Sequence, residues 1–544
     1  MGKRWGIALA TLSAFASLAT ACSSTSSSEG VVSTTASAGE ETTAPAATDA
    51  PTDSTEATDD TAAETSAPAA PTGGTVTVGL DDEPPTLDPA ANSLSLANGS
   101  VYSAIYDTLF TFTPENPVPV PLLADSLTEA PDRLSWTLTL KDGITFHDGT
   151  PFDAEAVKFN LERQKVSPFN GSSLIPLTAV EVVDPLTLTL RLSEPWTALS
   201  SALSGIVGVM VSPTAAADTA NFSRNPVGTG PFKFVEWVPS DNVTVERNED
   251  YWGDQPPSDG LVFKFIPVEA ARVAAFEAGE LDAMVSGIDR TAEEAEADGA
   301  QVATPPPSGY VFTYINQAKA PLNDPRVRHA LEIGYDRDAI AEAYQGQGYA
   351  DASFSPFVKD TEWWAAPAEP SSFDPDGARA LLAEYGQPVG FTFKVLGGNQ
   401  ELEDYMRAIV EYWNDIGVDA ELQLIPDIGT YVTDIITGNY DMIAAVGGST
   451  GDPDLLTYNL FHTGGATNYG GYTSPEMDAA LEQGRHADVD EERHAAYDTV
   501  QQIIRDDLPI LFMWHGSLYH IGSPDVSGLE ANFFFPVRTI AVAG

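Results

Sequence analysis

Between Tyr440 and Asp454 the chain reads YDMIAAVGGSTGDPD, placing two hydroxyls, Ser449 and Thr450, and two carboxylates, Asp452 and Asp454, behind a glycine pair. Three chemistries suit such residues. Gly447-Gly448-Ser449-Thr450-Gly451 fits G-x-S-x-G, the turn that exposes a hydrolase nucleophile. Ser449 would attack, a downstream Asp would orient, and His462 or His515 would serve as base. The pattern is short and the chain holds 44 glycines, so a chance match is expected. A metal site is the second option, but Asp452, Asp454 and His462 have no recognised ligand spacing. The third is non-covalent capture, in which a hydroxyl and carboxylates hold a ligand by hydrogen bonds. No G-x-x-x-x-G-K-[ST] phosphate loop occurs, and no cofactor is expected.

The elements in front of this stretch set where it lies in the fold. Phe391–Leu396 alternates as a strand, and Leu402–Ile416 follows as a helix with Met406, Ile409, Val410, Trp413 and Ile416 on one face. Gly417 ends that helix. Val418–Ile425 is a second strand, Tyr431–Ile436 a short helix, and Met442–Val446 a third strand. This alternation predicts an α/β fold with a parallel sheet built by right-handed crossovers. Ligands of such sheets sit outside the carboxyl ends of the strands, where Gly447–Asp454 lies. Asp452-Pro453 reads equally as the cap and first residue of a short helix.

Charge narrows the partners. The chain has 79 acidic against 26 basic residues, a net of −53, and phosphate binding needs clustered Lys and Arg, so nucleic acid is excluded. A single cysteine rules out an internal disulfide. Lys3 and Arg4 precede an apolar run, Ile7–Leu18, and then Leu18-Ala19-Thr20-Ala21-Cys22. That pattern resembles a bacterial lipoprotein signal over residues 1–22, with Cys22 as lipid anchor and Ala19 standing where Leu is usual. Residues 23–72 are Ser, Thr, Ala, Pro, Asp and Glu with almost no large apolar side chain, which predicts a disordered tether.

A folded body is expected from Gly73. Thr75–Leu80, Leu134–Leu140, Leu186–Leu192 and Leu261–Ile266 read as strands, and Asp153 caps a helix. Pro305–Gly309 marks an internal boundary. Tyr310–Asn316 is then a strand, Asp324–Gln345 one helix opened by Pro325, Asp490–Asp507 a long helix, and Leu508–Trp514 a returning strand.

Five blocks in order, GTVTVGLDDEPPTLDP, LKDGITFHDGTPFDAEAVKFNLER, NPVGTGPFKFVEWVPSDNVTVERNEDYWG, PLNDPRVRHALEIGYDRDAI and NYGGYTSPEMDAALEQGR, resemble the extracytoplasmic solute-binding proteins of ABC importers, in their peptide- and nickel-binding group. The resemblance implies a type II, two-lobed fold that closes on its ligand like a clamp. The first lobe would comprise 73–307 and 510–544, with an extra subdomain near 101–221, and the second lobe 308–509. Crossings are expected near Pro305–Tyr310 and Asp507–Ile510. The implied function is capture of an extracellular solute and delivery to a permease whose ATPase subunits are separate chains. The protein would act as a monomer, lipid-anchored at the outer face of the membrane, without catalysis or metal.

A peptide or peptide-like ligand leads, with oligosaccharides or other neutral solutes as the alternative. Peptide-binding members take the ligand ammonium with an Asp, and aligning on Gly451-Asp452-Pro453-Asp454 puts Ser449 at that position. A neutral hydroxyl cannot supply the charge-assisted bond. The resemblance therefore gives Ser449, Asp452, Asp454, Trp514, Tyr310, Asn468 and Tyr472 as candidate ligand contacts. Asn316, Tyr469, the loop Asp81–Asp88 and the pair Trp363-Trp364 are further candidates, with packing the leading role for the tryptophans.

Overall fold

In the computed structural model the described residues are 73–542 apart from 94, 114, 115, 306–308, 345–354, 360, 366–371, 399, 449, 450, 517 and 533. Two large sheets organise them. The first has seven strands in the order Gln301–Ala303, Tyr519–Gly522, Ala283–Ser286, Thr75–Leu80, Gly260–Phe265, Asn242–Arg247, Phe232–Val238. Alternation in TVTVGL buries Val76, Val78 and Leu80 on a core shared with Phe232, Leu261, Phe263 and helix Leu96–Ile105.

The second sheet has five strands, Asp419–Ile425, Gly390–Leu396, Met442–Gly448, Gly309–Ile315 and Ile510–Gly516. The first three pair in parallel, as the strand–helix rhythm predicts, and the last two join antiparallel. Both faces are covered, which explains the continuous apolar run in Met442–Ala445. Met442 and Ala444 point to a core built on helix Gln400–Asp415, while Ile443 and Ala445 point to one built on Pro475–His486 and Asp490–Asp507. Trp413 anchors the first of these, fully buried, with its indole N–H donated to Leu331 O at 2.9 Å.

A four-stranded antiparallel sheet, Ala124–Glu129, Ser135–Leu140, Thr187–Leu192 and Leu177–Asp184, forms a smaller body with helix Ala154–Lys165. Asp153 caps that helix on Ala156 N at 3.0 Å. A hairpin, Phe110–Thr113 with Asn116–Pro121, leads into it.

Two expectations need correction. The return crossing is not at Asp507–Ile510: Ile510–Gly516 pairs with Gly309–Ile315 inside the five-stranded sheet, and the chain rejoins the seven-stranded one at Tyr519. The break follows Gly516, where the apolar strand ends. The single helix expected over Asp324–Gln345 is two, Pro325–Ile333 and Arg337–Tyr344. Gly334 caps the first where a Cβ would stand 2.6 Å from both Ala330 O and Ile416 Cδ1, and Asp336 restarts the chain by accepting from Ala339 N. Among the described residues no helix is long and apolar enough to cross a membrane.

Candidate functional site

The three parallel strands run out on the same side of the sheet: Leu396 is level with Ile425, and the central strand continues beyond them to Gly448. Along the central one, Met442–Ala445 are buried, but Val446 is 70% exposed. Its cross-strand neighbours Val311 and, beyond it, Trp514 are buried, so Val446 is the uncovered end of an apolar row. On the opposite face Tyr310 lies against Gly447, where a Cβ would come within 2.4 Å of the ring. Ser449, the sequence candidate for ligand contact, falls outside the described residues, as does Cys22. The chain resumes at Gly451 with φ +76°, and the Phe112 ring from the hairpin stands 3.4 Å from the position of a Cβ there.

Asp452 caps helix Pro453–Phe461, accepting from Asp454 N at 3.0 Å, with Pro453 in the first turn. Its carboxylate also takes Arg493 Nη2 at 2.7 Å and the Ser201 hydroxyl at 3.2 Å. Asp454 is 1% exposed. It accepts Arg485 Nε at 2.9 Å, Arg485 Nη2 at 3.2 Å and Trp196 Nε1 at 2.9 Å. Burial pushes its carboxyl upward, opposed by the arginine. Both aspartates thus bond to the protein itself, and three of their partners, Trp196, Arg485 and Arg493, had no signal in the local sequence pattern.

The other candidates also have protein partners. Trp514 is buried against Tyr405, ring centroids 4.1 Å apart. Tyr310 packs among Phe312, Phe512 and His515, and burial raises its phenol. Asn468 closes a loop, donating to His462 O at 3.0 Å and Tyr472 O at 2.7 Å and accepting from Tyr472 N. The Tyr472 hydroxyl donates to Asp507. Asn316 donates to Gly438 O and Tyr440 O, both at 3.1 Å, and Tyr469 packs on Tyr314. Trp363 stacks on His494 at 4.3 Å, a packing role, and Trp364 is half-buried. In the loop 81–88, Asp88 is buried against Arg163.

His462 stacks on Tyr458 and approaches Glu482 at 3.5 Å. Among the described residues no group of His, Cys, Asp and Glu is arranged to hold a metal. The arrangement leaves Val446 exposed at the end of the central strand and brings the chain just beyond it, at Gly451, against Phe112 of the hairpin.

Comparison with known proteins gives a consistent result. Residues 118–468 match the family described as bacterial extracellular solute-binding proteins, family 5, middle region. The chain is 27% identical over 463 residues to the glutathione-binding protein GsiB of Pectobacterium atrosepticum, covering 81% of this chain and 89% of that one. It is 26% identical over 504 residues to the oligopeptide-binding protein AppA of Bacillus subtilis, covering 86% and 90%. Among solved structures, the periplasmic binding protein DppA of Helicobacter pylori in complex with the peptide STSA superposes with a TM-score of 0.78 at 23% identity, covering 87% of this chain and 99% of that one.

Proposed function

This chain belongs to family 5 of the bacterial extracellular solute-binding proteins, and from that premise we propose that it takes a peptide or peptide-like compound between its lobes. It is the substrate-binding component of an ABC importer, extracytoplasmic and of the type II two-lobed fold. The observation that carries the ligand reading is that the carboxyl ends of the three parallel strands lie on one side of the sheet, Leu396 and Ile425 level and Gly448 beyond them, the place where α/β sheets take ligands. Relatives named for glutathione and oligopeptide binding set the chemical class. Capture is binding without catalysis: ligand touching both lobes shifts the balance toward the closed form, which docks on the permease.

Within the chamber we assign Ser449, one residue past the strand in sequence, as a ligand contact and exposed Val446 as an apolar wall. Asp452, Asp454, Trp514, Tyr310, Asn468 and Tyr472 support the chamber through the protein partners that already occupy them. Lipidation of Cys22 and a tether over 23–72 hold the monomeric receptor at the membrane surface.

Thermal unfolding of the full chain tests the assignment, with glutathione, short peptides with free or acetylated N-termini, and oligosaccharides as ligands. A ligand bound only by the folded state adds about 2.7 kcal/mol at a hundredfold excess over Kd. Stabilisation by at least one peptide class is expected. Stabilisation by oligosaccharides alone would overturn the peptide reading.

A further inference from the structure

We propose that Trp196, with Thr197 and Ser201 beside it, is a positioning residue for ligand capture: it fastens the segment Asp452–Asp454 to the four-stranded subdomain when the lobes are closed and lets go when they part. The proposal rests on the two-lobed capture reading above.

The seam between the subdomain and the five-stranded lobe has an unusual division of labour. Each buried carboxylate keeps its counter-charge within its own lobe: Asp454 holds Arg485 at 2.9 Å and Asp452 holds Arg493 at 2.7 Å. What crosses to them is neutral, the Trp196 indole N–H at 2.9 Å and the Ser201 hydroxyl at 3.2 Å. Thr197 adds two bonds to backbone carbonyls, its hydroxyl to Ala487 O at 2.6 Å and its amide to Arg485 O at 3.3 Å. Arg133 donates to His486 O at 2.6 Å, and Asn459 to Ser172 O at 3.3 Å. Charged contacts also cross, from part-exposed Glu194 to buried Arg485 at 3.2 Å and to His486 at 3.3 Å and from Arg133 to exposed Asp488 at 3.8 Å, and Leu455 packs on the subdomain core.

This division decides between a permanent seam and a reversible one. Pulling apart a buried ion pair strands a charge and is costly. Here both aspartate ion pairs stay whole on separation, the charged contacts that part have a part-exposed partner in Glu194 or Asp488, and the neutral donors exchange one partner for water at small net cost. The seam is therefore strong enough to orient and weak enough to open. Its location links it to capture, because Asp452 follows the central strand Met442–Gly448 by only a few residues in sequence.

Hydrogen–deuterium exchange on the full chain, ligand-free and saturated with whichever of glutathione, the peptides or the oligosaccharides stabilises it, tests this with Trp196→Phe, which keeps a ring and loses the N–H, and with Thr197→Val, at a half-buried site. With ligand bound, the facing segments 194–203 and 451–458 should exchange roughly tenfold faster than in the wild type in Trp196→Phe, which loses a charge-assisted bond, and a few-fold faster in Thr197→Val, which loses a neutral one. Segments 75–80 and 405–413, inside the two cores, should exchange as in the wild type. Unchanged exchange at the facing segments in both variants would overturn the proposal, and so would an equal rise in the cores, which marks a merely structural role. Any ligand that closes the lobes serves, whatever its class, so failure of the peptide assignment would leave this result standing.

Discussion

Gly447 gives Tyr310 its place: a Cβ at position 447 would stand 2.4 Å from the Tyr310 ring, which is buried between neighbouring strands. Both residues sit at the carboxyl end of the sheet, so the contact fixes a ring directly behind the candidate chamber. Gly447→Ala forces the ring or the strand to move, and overpacking of this kind costs about 1–3 kcal/mol. Denaturant unfolding should show that loss, and Gly447→Ala combined with Tyr310→Leu should recover part of it.

Asp454 and Arg485 make the second test. Replacing Asp454 by Ala leaves a guanidinium that is 6% exposed with Glu194 as its remaining ion-pair partner and the Tyr458 ring against it, and the expected destabilisation is about 3 kcal/mol. A paired replacement, Asp454→Leu with Arg485→Met, removes both charges and should cost less than Asp454→Ala alone. A double-mutant cycle in urea measures the difference.

His520 predicts an acid sensitivity. It is fully buried, its Nδ1 bonded to Glu530 O at 3.1 Å, and burial lowers its pKa from 6.5 to about 4. The unfolded chain therefore takes up a proton on this ring at a higher pH than the fold does. Stability should fall as pH drops through 6.5 and the contribution should level off below about 4, a total of roughly 3 kcal/mol. His520→Asn, which keeps a donor for Glu530 O, should flatten that part of the profile.

Ser449 gives the ligand test its sharpest form. Ser449→Asp restores a carboxylate at the position where peptide-binding relatives are expected to carry one. Affinity for peptides with a free ammonium should rise about tenfold or more relative to acetylated ones. Isothermal titration of each pair with both proteins reads this, and an unchanged ratio removes residue 449 from ammonium recognition.

Much of the fold was legible because its signals are local. Asp153 and Asp452 each cap the helix their neighbours announce, and the strand–helix rhythm of 390–448 gives the parallel sheet. Trp514 was not legible. Simple alternation sets it on the face of Ile510 and Phe512, but a bulge between Val311 and Phe312 shifts the register, so Trp514 joins Leu511 and Met513 in the other core. The partners of Asp452 and Asp454 were hidden for a different reason: Trp196 is far away in the chain and comes from another body. A carboxylate reads the same in sequence whether it awaits a ligand or is already held.

The position of Tyr519–Gly522, between Gln301–Ala303 and Ala283–Ser286, orders the assembly of the chain during synthesis. The seven-stranded body starts first but lacks an inner strand until its last residues emerge. The five-stranded body draws every strand from 309–516 and can complete its sheet while the earlier one still has a gap. The domain begun first is thus finished last, and a chain that loses its C-terminal end forfeits the N-terminal domain before the inserted one.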